Sequence, residues 1–490
     1  MISIPKTELR RQYDAVIIGA GVGGLVCAGF LVRAGLSVLV LDQHYLPGGC
    51  CTAFPRKGKR YLFDAAVHHI GACGKFGTVG RIVKAFDLGI RFQRLDPMDH
   101  LVFSEDREYT IPSDWEAWKN QLCLSFPDQR EGIERLFRDL QRFHRQMLKG
   151  SGPLLDQYRR TTYQSFLQDY VEDPELLRCL SGQWGYLGLP AERIAATGMV
   201  QMLVSYWREG AWYPQGSTQN FSNALAHSLL AAGGHLLLKH RVDEVLFEEN
   251  GDTACHRAIG IRTEHGDVVR AKVVIHNGDA RRLFEELLPQ QAAPREHQAC
   301  QKLQAATPYF GLYMALDAGC DLSRLPRGFY FPSRSEISDL EGGASLDWMY
   351  LSIGTRYDPD IAPQGDQIFS STVAVRPDSP SFDAWQQDKS GMVKAVIAYL
   401  ENRVPELQQH LQFVDSATPK TVARFTMSKD GAAYGWAVSP DQAAEDRLGP
   451  ETSLAGLYLT GHWTSPGPGV AAVAASGWSV AHRILQNQNS

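Results

Sequence analysis

A glycine-rich turn between two short apolar segments constrains the fold of this chain more than any other feature. The β-branched run from Ala15 to Ile18 is typical of a buried parallel strand. The sequence GAGVGG follows it directly, then an apolar helical pattern, then a second apolar run, Val38 to Leu41, which ends at Asp42. This order of strand, glycine turn, helix, strand and acid predicts a parallel βαβ unit that binds a dinucleotide.

The residues of this unit suggest which dinucleotide it binds. Gly19 permits the tight turn, Gly21 lets the backbone approach a pyrophosphate, and Gly24 lets the helix pack close to the strand. The helix N-terminus offers unpaired N–H groups and the positive end of its dipole to the phosphates. Asp42 can accept the hydroxyls of an adenosine ribose and disfavours a 2′-phosphate, which favours FAD or NAD over NADP. An ordinary glycine-rich turn is the alternative, and the complete unit argues against it.

A second glycine pair favours FAD through a family resemblance. Gly48 and Gly49 follow Asp42 after five residues, and this D-x5-GG extension resembles the FAD-binding start of the amine oxidase and phytoene desaturase superfamily. The run GGCC, the pair Phe63-Asp64 and the run HHIG look like the carotenoid isomerase and retinol saturase branch. The resemblance implies FAD as cofactor and an α/β fold. In that fold a discontinuous Rossmann-type FAD-binding domain is interleaved with a mixed α+β substrate domain.

The same resemblance extends to later parts of the chain. The segment YPQGSTQNFSNALAHSLLAAGGHLLLKHRVDEVLFE looks like the helix and strands that return to the cofactor domain, with Val242 holding the adenine through backbone groups. Near the C-terminus, GLYLTGHWTSPGPGV implies a helix beginning at Val470 whose N-terminus faces the flavin. The residues assigned to FAD are therefore Gly19, Ala20, Gly21, Gly23, Gly24, Asp42, Gln43, Gly48, Gly49, Cys50, Ile70, Gly71, Val242, Gly461, His462, Gly469 and Val470.

Three positions depart from the pattern of the superfamily. Cys50 stands where an arginine is frequent, and Ala66 stands where this branch usually has glycine. His462 stands where related proteins usually have an aspartate that meets the ribityl or phosphate groups. The contact that His462 makes must therefore differ from the one in those relatives.

The length of 490 residues predicts two domains rather than a single core. Residues 1–85, 208–285 and 425–490 are expected to form the FAD-binding domain, 86–207 a mainly helical cap, and 286–424 the sheet of the substrate domain. The clearest helix in the cap runs from Glu131 to Lys149, with one apolar face and four arginines on much of the rest. A membrane-binding face is one interpretation of those arginines; a solvated face is favoured because acidic residues dilute the charge.

Two adjacent histidines, His68 and His69, are the candidate catalytic residues. The resemblance implies a place beside the flavin ring, where an imidazole can donate a hydrogen bond or transfer a proton. Buried structural histidines are the alternative, and zinc binding is disfavoured because no further ligand stands at helical spacing. For Cys50 and Cys51, packing beside the cofactor is favoured over metal binding, so no metal site is predicted.

The aromatic residues between 286 and 424 have two interpretations. The resemblance implies that this region builds a sheet flooring a long apolar substrate tunnel, whereas a core or sheet-face position is the ordinary alternative. The sequence does not say which of them face the tunnel. The candidates are Tyr309, Phe310, Tyr313, Phe329, Tyr330, Phe331, Trp348 and Tyr350.

These motifs together predict an FAD-dependent oxidoreductase. The expected reaction is desaturation or saturation of carbon–carbon double bonds in a long apolar isoprenoid, carotenoid or retinoid-like, with His68 or His69 as the proton partner. Redox-assisted carotenoid cis–trans isomerisation is the first alternative. A flavin amine oxidase, with Trp463 and Tyr434 in an aromatic cage, is the second, and GGCC and HHIG argue against it. A non-catalytic prenyl-lipid carrier like the GDP-dissociation inhibitors is the third, and the intact dinucleotide motif argues against that.

The composition argues against several other classes. A net charge of −5 offers no electrostatic case for nucleic acid. Nine cysteines without CxxC spacing, and an N-terminal segment without an apolar signal core, predict a cytoplasmic protein with free thiols. No uncharged apolar run reaches the length of a membrane span, while peripheral membrane contact stays open. Because there is no second GxGxxG, the external electron donor or acceptor is not identified.

Overall fold

A computed structural model describes residues 3–58, 60–104, 106–249, 256–332, 348–374, 389–443 and 446–488. Its strands, in chain order, are β1 (Gln12–Ile18), β2 (Val38–Asp42), β3 (Ala53–Arg56), β4 (Tyr61–Asp64), β5 (Ile70–Gly71), β6 (Phe92–Leu95), β7 (Asp99–Ser104), β8 (Arg107–Ile111), β9 (Ala211–Pro214), β10 (His235–Leu238), β11 (Val242–Glu249), β12 (His256–Thr263), β13 (Val268–His276), β14 (Tyr309–Leu316), β15 (Gly328–Tyr330), β16 (Met349–Ser352), β17 (Gln367–Ala374), β18 (Leu411–Ala417) and β19 (Leu457–Leu459). Its α-helices are α1 (Val22–Arg33), α2 (Thr78–Ala85), α3 (Trp115–Ser125), α4 (Arg130–Lys149), α5 (Pro153–Tyr158), α6 (Tyr163–Gln168), α7 (Pro174–Ser181), α8 (Ala196–Glu209), α9 (Thr218–Ala231), α10 (Ala280–Arg282), α11 (Pro294–Lys302), α12 (Lys389–Glu401), α13 (Pro419–Thr426) and α14 (Val470–Gln488).

The glycine-rich turn lies in a sheet of order β10-β2-β1-β13-β12-β11, with β19 beside β13. The strands β10, β2, β1, β13 and β19 are parallel, and β11 and β12 add antiparallel neighbours. Successive residues of β1 alternate between two buried clusters, because Ala15 and Ile17 face one helical layer while Val16 and Ile18 face the other. The predicted βαβ unit is thus confirmed.

Three separate stretches of chain build this sheet. The first supplies β1 and β2, the second supplies β10 to β13, and the last supplies β19 and the long helix α14. The turn between β12 and β13 contains Gly266 at φ +80°, a conformation that favours glycine. The discontinuous Rossmann-type arrangement interleaved with a second region is therefore confirmed.

A second sheet has the order β18-β14-β17-β16-β15-β7-β8. Every neighbouring pair in it is antiparallel except β15 and β7. Two of its strands, β7 and β8, come from the region expected to be mainly helical, and that region becomes helical only from Trp115 onward. The strand β7 pairs with its neighbour β8 in a local hairpin and joins the sheet through β15, a partner far away in sequence that leaves no local pattern.

The helices α3 to α8 form a layer in the part of the region 86–207 that follows residue 115. The apolar face of α4 is buried, and Phe137 stacks on Trp207 of α8 with ring centroids 5.5 Å apart. Its arginines are exposed, and Arg142 pairs with Asp139 on the same helix. The apolar-face prediction is confirmed. Among the helices of the described residues, none is both long and apolar enough to cross a bilayer.

The helices α1 and α14 cross at two glycines. A Cβ atom built on Gly477 would lie 2.1 Å from the carbonyl oxygen of Gly23, so the two backbones touch there. Val22 at the start of α1 and Val470 at the start of α14 line the same cavity. The close crossing therefore brings both helix N-termini to one site.

The substitution Gly477→Ala should destabilise the protein by about 1–3 kcal/mol, because the added methyl group forces the two helices apart. The matched control is Gly449→Ala, where nothing lies within 4 Å of the added Cβ. That control should stay within about 0.5 kcal/mol of the wild type. Urea titrations followed by far-UV circular dichroism measure both changes. A Gly477→Ala protein as stable as the wild type would contradict the close crossing.

Candidate active site

One cavity runs past the carboxyl ends of β1, β2 and β13 and brings most of the predicted residues together. The predicted residues that line it are Gly19, Gly21, Gly23, Asp42, Gln43, Gly48, Gly49, Cys50, His68, His69, Val242, Gly461, His462, Gly469 and Val470. Four others lie outside its lining and support it: Ala20, Gly24, Ile70 and Gly71. A Cβ on Gly24 would lie 2.3 Å from the carbonyl oxygen of Gly19, so this glycine permits the close packing of helix and strand.

Ile70 and Gly71 have a structural place that the sequence does not indicate. They form β5, which pairs with Ala211 and Trp212 of β9. A Cβ on Gly71 would lie 3.0 Å from the ring of Tyr206, and Tyr206 itself lines the cavity. The pair thus supports the cavity wall from behind.

Asn277 lies between the two glycine-rich segments, and sequence reasoning missed it. Its Nδ2 donates to the carbonyl oxygen of Gly19 over 3.2 Å. A Cβ on Gly21 would lie 2.8 Å from Nδ2, and one on Gly23 or Gly461 would lie 2.7 Å from Oδ1. Asn277 directly follows β13, and its place after this apolar run is the one indication in the sequence that it reaches this site.

Asp42 is fixed by backbone groups at the end of β2. Its Oδ2 accepts the N–H of Ala20 at 2.7 Å, and its Oδ1 accepts the N–H of His44 at 2.8 Å. Burial raises the pKa of Asp42, while these two hydrogen bonds oppose that shift. Each carboxylate oxygen keeps a further lone pair, so the group can still accept ribose hydroxyls. The N–H of Gly48 donates to the carbonyl oxygen of Ala20 at 2.8 Å, which joins the second glycine pair to the first turn.

These residues fit FAD. Gly48 and Gly49 adopt φ +123° and +62°, conformations that favour glycine, and a Cβ on Gly48 would lie 2.5 Å from the oxygen of Cys51. The buried Oδ1 of Asn277 has no partner among the described residues. The glycine turn and the α1 N-terminus would hold the diphosphate, Asp42 the ribose, and Val242 the adenine. The segment from Gly461 to Val470 would meet the flavin.

His462 stands where related proteins usually have an aspartate, and its surroundings set its charge. Its carbonyl oxygen accepts a hydrogen bond from Arg447 at 2.7 Å. Burial, with the charge of Arg447, lowers the pKa of His462 to about 4, so the ring is neutral at pH 7. Its Nε2 has no partner among the described residues. The chain thus has a neutral imidazole in the cavity wall, and its contact with the cofactor stays a prediction.

The two candidate catalytic histidines lie together in the cavity wall. His68 stacks on Tyr350 with ring centroids 5.0 Å apart, and its Nε2 lies 2.9 Å from Oγ1 of Thr372. Burial lowers the pKa of His68 to about 4 and that of His69 well below its usual value, with the charge of Arg327 adding to both shifts. Both rings are therefore neutral at pH 7 and are poor proton donors in that form. Their catalytic role stays a prediction.

A buried carboxylate lies behind these histidines, and sequence reasoning missed it. Asp99 accepts hydrogen bonds from the hydroxyl of Tyr186 at 2.6 Å, from Nε2 of Gln183 at 2.8 Å and from the hydroxyl of Tyr350 at 3.1 Å. Burial raises the pKa of Asp99, and the charge of the buried Arg327 opposes this shift. These residues are scattered through the sequence, so no local motif indicates the group.

The structure also separates the aromatic residues that the sequence leaves ambiguous. Tyr309 and Tyr313 of β14 line the cavity, whereas Phe310 on the same strand packs into the core on the other face. Further aromatic lining comes from the second sheet, the helical layer and the segments on either side of β19. Those side chains are Tyr186, Tyr206, Phe329, Trp348, Tyr350, Tyr434 and Trp463.

The cysteines near the cofactor segments are unreactive in character. The eight cysteines of the described residues are free thiols, and burial raises the pKa of Cys50 to about 11 and that of Cys51 to about 12. Within the described residues, no group of three His, Cys, Asp or Glu side chains is arranged to hold a metal ion. Cys50 and Cys51 line the cavity, and their packing beside the cofactor stays a prediction.

Known proteins place this site in a family. The sequence model of the family of flavin containing amine oxidoreductases matches residues 22–485 of this chain. The chain belongs to this family. A crystal structure of an oxidoreductase from Methanosarcina mazei is similar with a TM-score of 0.68 and 19% identity, covering 96% of this chain and 99% of that one. Putrescine oxidase bound to putrescine is similar with a TM-score of 0.67 and 16% identity, covering 97% and 99%. The fold is thus that of flavin amine oxidases, and FAD is the cofactor.

The curated relatives in this family carry out several reactions. Prolycopene isomerase 2 from an Oncidium hybrid cultivar is 26% identical over 518 residues, which cover 98% of this chain and 85% of that protein. All-trans-retinol 13,14-reductase from Danio rerio is 24% identical over 513 residues, with 93% and 83% covered. The lycopene-forming phytoene desaturase from Pseudescherichia vulneris is 26% identical over 506 residues, with 96% and 99% covered. This protein is therefore an FAD-dependent oxidoreductase or isomerase.

The substitution Gly21→Ala should weaken FAD binding at least about tenfold, or about 1.4 kcal/mol. The reason is that the added Cβ lies 2.8 Å from Nδ2 of Asn277, in the space through which the backbone approaches the diphosphate. In an Asn277→Ala background the same substitution should cost less, because that clash is gone. Titration of apoprotein with FAD, followed by flavin fluorescence, measures all four affinities. Additive effects would contradict the contact between the two residues.

Acidification should destabilise the protein through its buried neutral histidines. Burial lowers the pKa of His276 to about 3, below its unfolded value, so the unfolded chain takes up a proton that the folded protein does not. The contribution of His276 to the free energy of unfolding is fully present above about pH 6.5 and is lost as the pH decreases. At pH 5 the loss is about 2 kcal/mol. His276→Gln should reduce the loss between pH 7 and pH 5 by that amount. His227 is exposed, so His227→Gln is the control and should leave the loss unchanged. Urea titrations at pH 7 and pH 5 measure the free energy of unfolding of each protein.

Proposed function

We propose that this protein uses FAD to desaturate or saturate carbon–carbon double bonds of a long apolar isoprenoid, carotenoid or retinoid-like. The observation that carries the proposal is the single cavity in which the dinucleotide motifs and an aromatic wall share one space. When bound, FAD supplies the two-electron chemistry. The residues of the chain bind the substrate, orient it and exclude water.

The aromatic wall is suited to a rigid polyene. Tyr186, Phe329 and Tyr350 pack against one another with ring centroids 4.8 to 5.6 Å apart, so each holds the orientation of the others. A wall of mutually packed rings presents a fixed apolar surface at low cost in side-chain entropy. Burial of an apolar chain against it is favourable by about 25 cal/mol for each Å² removed from water.

The relatives support a polyene substrate rather than an amine. The three relatives described above each match over more than nine-tenths of this chain. They are named for prolycopene, retinol and phytoene, and the reactions in their names concern carbon–carbon double bonds. The likeness to putrescine oxidase, at 16% identity, concerns the fold alone. Trp463 and Tyr434 do line the cavity, as an amine oxidase cage would require, yet the wall continues into the larger aromatic set around Tyr350.

Redox-assisted cis–trans isomerisation is the second candidate. It is favoured by the prolycopene isomerases of several plants among the relatives, which match over 96 to 98% of this chain. Isomerisation leaves the composition of the substrate unchanged, whereas desaturation removes two hydrogens and saturation adds two. Product mass and geometry therefore separate the two candidates.

The purified holoprotein should change a polyene under anaerobic conditions in at least one redox state of the flavin. The measurement is incubation of the oxidised and the dithionite-reduced protein with prolycopene, phytoene and all-trans-retinol, followed by chromatography and mass spectrometry. A change of two hydrogens supports the proposed reaction, and a changed geometry at constant mass supports isomerisation. Denatured protein with free FAD is the control. Polyenes that stay unchanged in both redox states would refute the proposal, and peroxide release from an amine panel would favour amine oxidation instead.

A further inference from the structure

Two hydrogen bonds connect His69 to the buried carboxylate of Asp99 through Tyr350. The hydroxyl of Tyr350 donates to Oδ1 of Asp99 at 3.1 Å and lies 3.3 Å from Nδ1 of His69. A tyrosine hydroxyl has a single hydrogen to donate. Because that hydrogen is used on Asp99, the hydroxyl oxygen must accept from Nδ1 of His69. The ring is then the Nδ1–H tautomer, and Nε2 carries the lone pair.

Trp207 and Gln183 orient the hydrogen bond on the other oxygen of Asp99. The indole Nε1 of Trp207, which can only donate, binds Oε1 of Gln183 at 3.1 Å. The amide nitrogen of Gln183 is therefore the atom that faces Asp99, and it donates to Oδ2 at 2.8 Å. Burial raises the pKa of Asp99, and the charge of the buried Arg327 and the hydrogen bonds that the carboxylate accepts oppose this shift. Its Oδ2 accepts from Gln183 and Tyr186, and its Oδ1 accepts from Tyr350.

The His69 ring lies in the wall of the cavity. His69 is 5% exposed and lines the cavity, and its Nε2 has no hydrogen-bond partner among the described residues. The rings of Tyr186 and Tyr206 pack edge-on against the imidazole at 5.1 and 5.2 Å, which holds its plane. A buried acceptor without a partner is costly unless a ligand group meets it.

We propose that Asp99, acting through Tyr350, is a positioning residue that fixes His69 as the Nδ1–H tautomer and leaves Nε2 as a buried hydrogen-bond acceptor in the cavity wall. A substrate group that faces His69 must then supply a hydrogen. If that hydrogen transfers as a proton, its bond to the donor breaks, the bonding electrons stay on the donor, and an N–H bond forms at Nε2. The charge of Asp99 then stabilises the imidazolium through Tyr350. Only this substrate contact rests on the proposed function; the tautomer does not.

The test is the tautomer itself, read by NMR on the holoprotein labelled with ¹⁵N-histidine. Correlations between the ring nitrogens and the carbon-bound ring protons distinguish the two neutral tautomers, and His69→Gln identifies the signals of this residue. The wild type should show Nδ1 protonated and Nε2 unprotonated. Asp99→Asn should reverse this pattern, because its amide nitrogen donates to Tyr350, whose hydroxyl then donates to Nδ1 of His69. A wild-type Nε2–H tautomer, or an unchanged pattern in Asp99→Asn, would overturn the proposal.

If Asp99→Asn does not fold, a second variant tests the proposal. Tyr350→Phe removes the connecting hydroxyl, so both tautomers should be populated, and a retained single Nδ1–H pattern would overturn the proposal. The matched control is Tyr309→Phe, which removes a hydroxyl from the same cavity wall without a contact to His69. Its His69 pattern should equal that of the wild type, and a shift there as large as that in Tyr350→Phe would show a general effect of the wall and overturn the proposal.

Kinetics provide a separate readout with the polyene that the wild type converts. Asp99→Asn should lower kcat by about 100-fold or more while KM stays within about twofold, because a misplaced hydrogen affects the reaction rather than binding. A raised KM with unchanged kcat would show a binding role for Asp99 and overturn its positioning role. If the wild type converts no polyene, the proposed function fails, and the NMR result still decides the tautomer.

Discussion

Direct backbone contact between separate stretches of the chain is the constraint on which the rest of this structure depends. The glycine turn after β1, the returning strand β13 and the segment before α14 meet around Asn277, whose side chain occupies the space that Cβ atoms on Gly21, Gly23 or Gly461 would need. Because the α1 and α14 backbones also touch at Gly477, both helix N-termini reach one cavity. The cofactor site is therefore a product of packing among distant segments, and each segment alone is incomplete.

Polar groups are buried around the cavity, and burial determines which of the histidines are neutral. The carboxylate of Asp99 and the guanidinium of Arg327 lie behind a wall of aromatic rings, and burial keeps His68, His69 and His462 neutral at pH 7. A site with neutral imidazoles and hydroxyl groups can orient hydrogen bonds without placing a net charge against an apolar ligand. This combination suits an enzyme whose cofactor performs the electron chemistry while the protein fixes geometry and protonation.

Much of the cofactor region could be predicted because its residues are adjacent in sequence. The order of strand, glycines, helix and Asp42, together with the second glycine pair, indicated FAD and the α/β fold, and both are confirmed. Asn277 could have been found, since it directly follows the apolar run that forms the end of β13. Asp99 could not, because its partners Gln183, Tyr350 and Arg327 come from other elements far along the chain. The strand β7 that carries Asp99 was itself hidden in a region expected to be helical.

The sequence by itself determined the dinucleotide motif, the family and the candidates at positions 68 and 69, because these depend on local spacing and residue type. The tertiary structure alone decided which aromatic residues face the cavity, since Tyr309 and Phe310 are neighbouring aromatic residues on opposite faces of one strand. It also decided which nitrogen of His69 carries the hydrogen, through Tyr350 and Asp99. Faces and tautomers depend on contacts across space, and a sequence records the order of residues along the chain.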